Sequence, residues 1–333
     1  MKRNKKGFGI IDYILLTIFF IFILFKFLEV YDQKLHWERK RKEKERKENI
    51  LKEREAESKR AAEELDNNPN LQQERIDEAN RILKLMVKCP AGTFLMGSPE
   101  TELGRSTSET QHKVTLSKDY YIAKYTVTQK QFKTIMGFNP SFYGGNGNPD
   151  SNRIDTSRED CPVENVSWFE AKDFCVKLNK FTEGKRPSGY KFDLPTEAQW
   201  EYACRAGTTT AFNNGKNLTT DNQFKGCPNC KEVAWCEGNH EFKFNPQEPG
   251  QKKPNAWGIY DMHGNVFEWC RDNYGPFTSD DVVDPQGPPS GEPVIKGGSI
   301  HSRPNECRAA TRFQYHASGR DKSYGFRVAL VCN

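Results

Sequence analysis

Ala256-Trp257-Gly258-Ile259-Tyr260-Asp261-Met262-His263-Gly264-Asn265-Val266-Phe267-Glu268-Trp269 brings two glycines, two carboxylates and four aromatics into fourteen residues. Glycines allow tight turns, and two acids with backbone carbonyls between them can be aimed at one point. A rigid, oxygen-rich loop of that kind suits a hard cation such as calcium. The plainer alternative is an aromatic turn packed beneath a core. The sequence around the stretch decides between them.

From Cys89 onward, short apolar runs alternate with Gly, Pro, Asn and Asp clusters, a pattern of loops joining short elements in an α+β domain. Two segments read as helices. Residues 166–178 begin at Ser167 with Glu170 three positions on, and residues 196–204 begin at Thr196 with Gln199 in the same relation; both are capping boxes. Strands are expected at residues 114–116, 120–123, 294–296, 308–312 and 326–330. Residues 137–160 and 212–253 read as long loops, which in compact domains usually carry function.

The N-terminal part differs in kind. The first 88 residues hold 21 Lys+Arg against 16 Asp+Glu, while residues 89–333 hold 29 of each. The globular part is therefore neutral and gives no basic footprint for nucleic acid. A basic segment, residues 1–9, precedes residues 10–28, which are apolar except for Asp12, Thr17 and Lys26. As a helix that run reaches about 28 Å, close to the hydrocarbon thickness. Phe27-Leu28-Glu29-Val30-Tyr31 offers no small-residue cleavage site, so an uncleaved single-pass anchor is expected. The N-terminal lysines favour a cytoplasmic N-terminus and an exported domain, although the basic residues after the span argue the other way. Residues 29–88 read as a charged helical stalk without a sustained coiled-coil seam, ending in a docking helix over 71–87 with one apolar stripe.

All ten cysteines lie in residues 89–333. In an oxidising compartment they permit disulfides, and at least one is expected if the domain is exported. Cys227, Cys230, Cys236 and His240 also form a C-x2-C-x5-C-x3-H pattern able to hold zinc. Without a second knuckle, a local disulfide or a plain loop is the expectation there.

The motifs fall in an order that resembles the formylglycine-generating enzyme, or sulfatase-modifying factor, family. The opening Pro90-Ala91-Gly92-Thr93-Phe94-Leu95-Met96-Gly97-Ser98 is followed by Tyr125-Thr126-Val127-Thr128-Gln129, Phe138-Asn139-Pro140-Ser141 and Cys161-Pro162-Val163-Glu164-Asn165-Val166-Ser167-Trp168. Leu194-Pro195-Thr196-Glu197-Ala198-Gln199-Trp200-Glu201-Tyr202-Ala203, Gly297-Gly298-Ser299 and Gly325-Phe326-Arg327-Val328 complete the set. The resemblance covers residues 89–333 and implies a loop-rich fold similar to the C-type lectin fold. It also implies a structural calcium at Asp261, Gly264, Val266 and Glu268. A second family calcium, due within residues 233–253, finds no match.

For activity the resemblance implies two cysteines after the Gly-Gly-Ser loop, holding copper(I), a soft ion that wants soft ligands. Here Ser302 stands at the first position. Cys307 has the ungapped spacing of the second, although Arg308-Ala309-Ala310-Thr311-Arg312 suggests a shorter loop in another register. Ser299, Ser302 and Cys307 are the candidate catalytic residues, with His301 beside them as a surface residue lacking an orienting acid. A hydroxyl cannot replace a thiolate on copper(I), so copper is not expected. The expected function is a membrane-bound binding or accessory module, acting on a protein or a cell-envelope ligand. The alternative is a formylglycine-generating oxidase using an atypical site that includes Cys307; a second thiol beside it, Cys270 or Cys332 for example, would favour that alternative. A mere spacer would show no ligand recess.

Overall fold

The computed structural model describes residues 68–145, 158–219, 227–237 and 245–332, together with scattered helical residues between Lys26 and Arg60. The chain divides into two compact units, residues 1–56 and 57–333. In the first, Arg41 pairs with Glu45 one turn on, as a charged helix allows. The expected membrane span, residues 10–28, lies outside the described residues apart from Lys26. Among the described residues, no helix is long and apolar enough to cross a membrane.

The second unit opens with α1 (Pro69–Lys84). Asn68 caps it by accepting a hydrogen bond from Asn70 N at 3.0 Å, and Pro69 occupies the first turn, where its missing N–H costs nothing. The sequence places this helix two residues further on and extends it to Val87. Instead, Met86 and Val87 enter β1 (Met86–Cys89), because strand pairing with β4 (Tyr120–Ala123) satisfies their backbone groups. The globular domain therefore begins before Cys89, and α1 is part of it, burying Ala79 and Ile82.

Both capping boxes form. Ser167 and Glu170 cap α3 (Trp168–Phe181), and Thr196 and Gln199 cap α4 (Glu197–Arg205). Between α1 and α3 lies α2 (Gln129–Met136), which the sequence reading lacks although Thr128 and Gln131 make the same box. The remaining strands are β2 (Gly92–Met96), β3 (His112–Leu116), β5 (Tyr190–Asp193), β6 (Ala234–Trp235), β7 (His263–Gly264), β8 (Phe267–Asn273), β9 (Val282–Val283), β10 (Pro293–Lys296), β11 (Arg312–Gln314), β12 (Tyr324–Gly325) and β13 (Ala329–Cys332). They form sheets in the orders β1-β4-β13-β5, β11-β10-β8-β12, β2-β3-β9 and β6-β7.

The expected strand at residues 308–312 does not form. Residues Pro304–Cys307 make a 3-10 turn, and only Arg312 enters a strand. Two main cores result. One packs Phe132, Phe174 and Phe326 beneath α2 and α3, and the other surrounds Trp200 with Ile259, Met262 and Cys270. A smaller third cluster joins Ala211, Phe212, Leu218, Cys227, Cys230, Cys236 and Cys307.

Candidate functional site

The decisive glycine stretch is a hub. Gly264 has φ +78°, and a Cβ there would meet the carbonyl of Trp235 at 1.8 Å, so only glycine lets the backbones of β6 and β7 approach. Asn265 then clamps Gln247 through two hydrogen bonds of 2.9 Å, and its carbonyl accepts from Ile300 N at 3.0 Å. Gly264 N donates to Gly297 O at 2.7 Å. The stretch thereby fixes the Gly-Gly-Ser loop.

The two acids of the stretch occupy different environments. Glu268 is buried and accepts from Arg327 Nε and Nη2, each at 2.7 Å, and from Trp200 Nε1 at 2.6 Å. Asp261 accepts from Gly250 N at 2.7 Å through Oδ2, whereas its buried Oδ1 has no hydrogen-bond partner. Burial raises the Asp261 carboxyl to about 6. The orphaned oxygen fits a cation ligand; Glu268 is already neutralised by a guanidinium. No third acid, histidine or cysteine joins them, and among the described residues no three such side chains stand as a ready-made metal cage.

Glu164 accepts from Phe142 N and Tyr143 N, both at 2.9 Å, and burial raises its carboxyl to about 8. That clamp sets Tyr143 Oη 3.4 Å from His301 Nε2. Ser299 and Ser302 lie below, nearly buried, with their hydroxyls 3.4 Å apart. The structure thus brings Ser299, His301 and Ser302 together, and it separates Cys307 from solvent. The Cys307 sulfur is fully buried under Gly298, 4.0 Å from the carbonyl oxygen of Ser299.

Cys307 does have sulfur neighbours, but neither Cys270, which belongs to the core around Trp200, nor Cys332, whose thiol reaches Asp119 O. Its sulfur neighbour is Cys236, in the same buried cluster. Cys230 Sγ lies 3.7 Å from Cys236 Sγ and donates to the Cys227 carbonyl oxygen at 3.2 Å. None of the ten cysteines forms a disulfide, which corrects the expectation of at least one. His240 lies outside the described residues.

His263, missed in the sequence, holds this corner. Its Nδ1–H donates to Cys307 O at 2.7 Å, and its Nε2 accepts from Asn213 N at 3.0 Å. Burial lowers the ring to about 4, so it stays neutral with the proton on Nδ1. The apolar pattern around position 263 gave no sign of this. Beyond Cys307, Arg308 is buried and donates to Glu102 and Glu109 at 2.6–2.8 Å. This commitment pulls residues 304–308 into a turn rather than a strand. A recess of about 460 Å³ opens there, lined by Gly104, Glu109, Asn305, Arg308 and Tyr315.

With this geometry in view, comparisons with known proteins converge. Residues 72–331 match the sulfatase-modifying factor enzyme 1-like domain. The chain is similar to the chaperone protein LppX of Paenibacillus barcinonensis, 31% identical over 67% of this chain and 83% of that protein. It is 28% identical to the formylglycine-generating enzyme of Bos taurus over 73% of this chain and 74% of that one. Among solved structures it resembles Treponema denticola variable protein 1, with TM-score 0.60 and 28% identity, covering 74% of this chain and 94% of that one.

Proposed function

This chain belongs to the sulfatase-modifying factor family, and on that premise we propose that it is a binding or accessory module without copper-dependent oxidase activity. The observation that carries this reading is the fate of Cys307. Its sulfur has no exposure, sits beneath Gly298, and points into a row of other buried thiols. A peptide cysteine and oxygen would both have to reach a metal held there. Beside it, the nearly buried Ser302 and Ser299 offer only hydroxyls, which are poor donors to copper(I). The thiol supplied by Cys236 removes the simplest objection to a copper site, the lack of a second sulfur. It does not open the site.

The likeness to a protein named as a chaperone supports an accessory role toward another protein. The recess beside Arg308 gives a protein or envelope ligand a place to bind and weighs against a mere spacer; Asn305 Oδ1, on its lining residue, is buried without a hydrogen-bond partner. Residues 10–28 would tether the module to a membrane, with the domain outside the cytoplasm. In the 261–268 loop, Asp261 with its orphaned Oδ1 would be the side-chain ligand to a calcium ion, which would supply fixed positive charge and rigidity, whereas Glu268, already held by Arg327 and Trp200, does not fit that role.

The test uses the full chain, preloaded with copper(I), given oxygen and a cysteine-bearing sulfatase peptide. The peptide mass is expected to stay unchanged. The mass loss of aldehyde formation would refute the proposal.

A further inference from the structure

We infer that Cys227, Cys230, Cys236 and Cys307 form a tetrathiolate zinc site that ties the 227–237 arm to the loop following Gly-Gly-Ser. All four thiols are buried in one small cluster, and three of them come from a Cys-x2-Cys-x5-Cys run within ten residues. The fourth arrives from a distant loop, which is why the sequence alone shows only three.

The geometry separates the possible uses of such a cluster. Sulfurs bonded to one zinc at about 2.3 Å in a tetrahedron stand about 3.8 Å apart. Cys230 and Cys236 are at 3.7 Å, far beyond the roughly 2.05 Å of a disulfide. The thiols follow one another from Cys227 through Cys230 and Cys236 to Cys307 within one buried cluster, with the Cys230 and Cys236 thiols hydrogen-bonded. No three of them surround one point as they stand, so zinc binding would have to draw the outer two inward. Each thiol that ligates zinc gives its proton to solvent.

A second observation concerns the backbone. In Cys227-Pro228-Asn229-Cys230, the Cys230 N–H and the Cys230 thiol both donate to the Cys227 carbonyl oxygen, at 3.3 and 3.2 Å, closing the tight turn that brings the two cysteines together. The turn is held independently, since Val233 N and Ala234 N donate to Cys230 O at 3.0 and 2.8 Å. On the other arm, Glu237 N donates to Ser302 O at 2.8 Å, and His263 fixes the Cys307 carbonyl. The ligands therefore sit on two loops already held in register. Four thiolates in a tetrahedron select zinc over hard cations.

Zinc content decides the matter, whatever the outcome of the aldehyde assay. The full chain, purified under reducing conditions and dialysed, is expected to retain about one zinc. Cobalt(II) substitution is expected to give the thiolate charge-transfer bands and intense visible bands of a tetrahedral sulfur site. Cys307→Ser and Cys227→Ser should lose the metal, while Cys332→Ser, outside the cluster, keeps it. Should the ligand variants fail to fold, mercurial titration of the unaltered chain reads the same point: zinc release must track modification of the four cluster thiols. A metal-free chain, a Cys236–Cys307 disulfide in the non-reduced peptide map, or tight copper(I) in place of zinc would each overturn the inference.

Discussion

Arg327→Met tests the hub most directly. In the folded chain Arg327 is fully buried and makes four hydrogen bonds of 2.7–2.9 Å, two to Glu268 and one each to Ala123 O and Tyr260 O. Methionine keeps much of the volume and removes every donor. Glu268 then retains only Trp200 Nε1, and Asp261 remains nearby. Breaking a buried pair by removing one partner costs about 3–5 kcal/mol, because the remaining charge is stranded in a dry interior. Against a total stability of about 5–15 kcal/mol that is a large fraction. At roughly 2–4 °C per kcal/mol for a domain of this size, Tm should fall by about 10 °C. Urea denaturation followed by tryptophan fluorescence, in chelator at pH 7, measures it. Arg327→Met/Glu268→Gln should recover a substantial part of the loss, since neither charge is then left alone. A single-variant change below about 1 kcal/mol would show that the pair does not hold the hub and would sink the argument.

Asp261→Asn should change the pH dependence of stability in a defined direction. Burial lifts this carboxyl from the ordinary 3.8 to about 6 in the folded chain, so its stabilising protonation is complete below pH 4 and lost as pH rises through 6. In chelator, wild type should lose about 3 kcal/mol relative to Asp261→Asn across that window; added calcium, which favours the charged form, should flatten the wild-type slope, and parallel curves in chelator would refute the assignment. Arg308→Lys keeps its charge but cannot span Glu102, Glu109, Gly104 O and Asn305 O, all of which lie within 2.9 Å of the guanidinium. Losing at least two of those bonds should cost about 2–3 kcal/mol in the same denaturation assay, and equal stability would refute it.

What could be read in the sequence was local. Ser167 with Glu170 and Thr196 with Gln199 define helix starts within four residues, and both boxes form as written. The same signal stands at Thr128 and Gln131, but α2 is only eight residues long and its apolar stripe too brief to mark a helix. Long-range contacts were out of reach. Nothing at Arg308 announces that Glu102 and Glu109 will capture it and end the strand expected there. Likewise, the partner of Cys307 is a thiol distant in sequence, and a two-residue strand such as β7 exists only because β6 lies beside it.

The buried arginines explain why so loop-rich a chain holds together. Strands of two to seven residues satisfy few backbone groups, yet buried carbonyls in loops still need donors. A guanidinium offers five N–H groups in a fixed fork. Arg205, Arg308, Arg312 and Arg327 each pair with a buried glutamate and also donate to backbone carbonyls, most of them outside the strands: Gly97 and Thr210, Gly104 and Asn305, Gly275, and Ala123 and Tyr260 respectively. Lys296 adds a fifth buried cation, 3.1 Å from Glu201. Each cation joins segments that no sheet pairs, and each demands a carboxylate because a lone buried charge would be prohibitive. The equal count of 29 acids and 29 bases in residues 89–333 is therefore partly an interior requirement. It also accounts for an apolar content as low as 35% in a chain whose cores are closed, since ionic staples do work that longer strands and larger cores do in other folds.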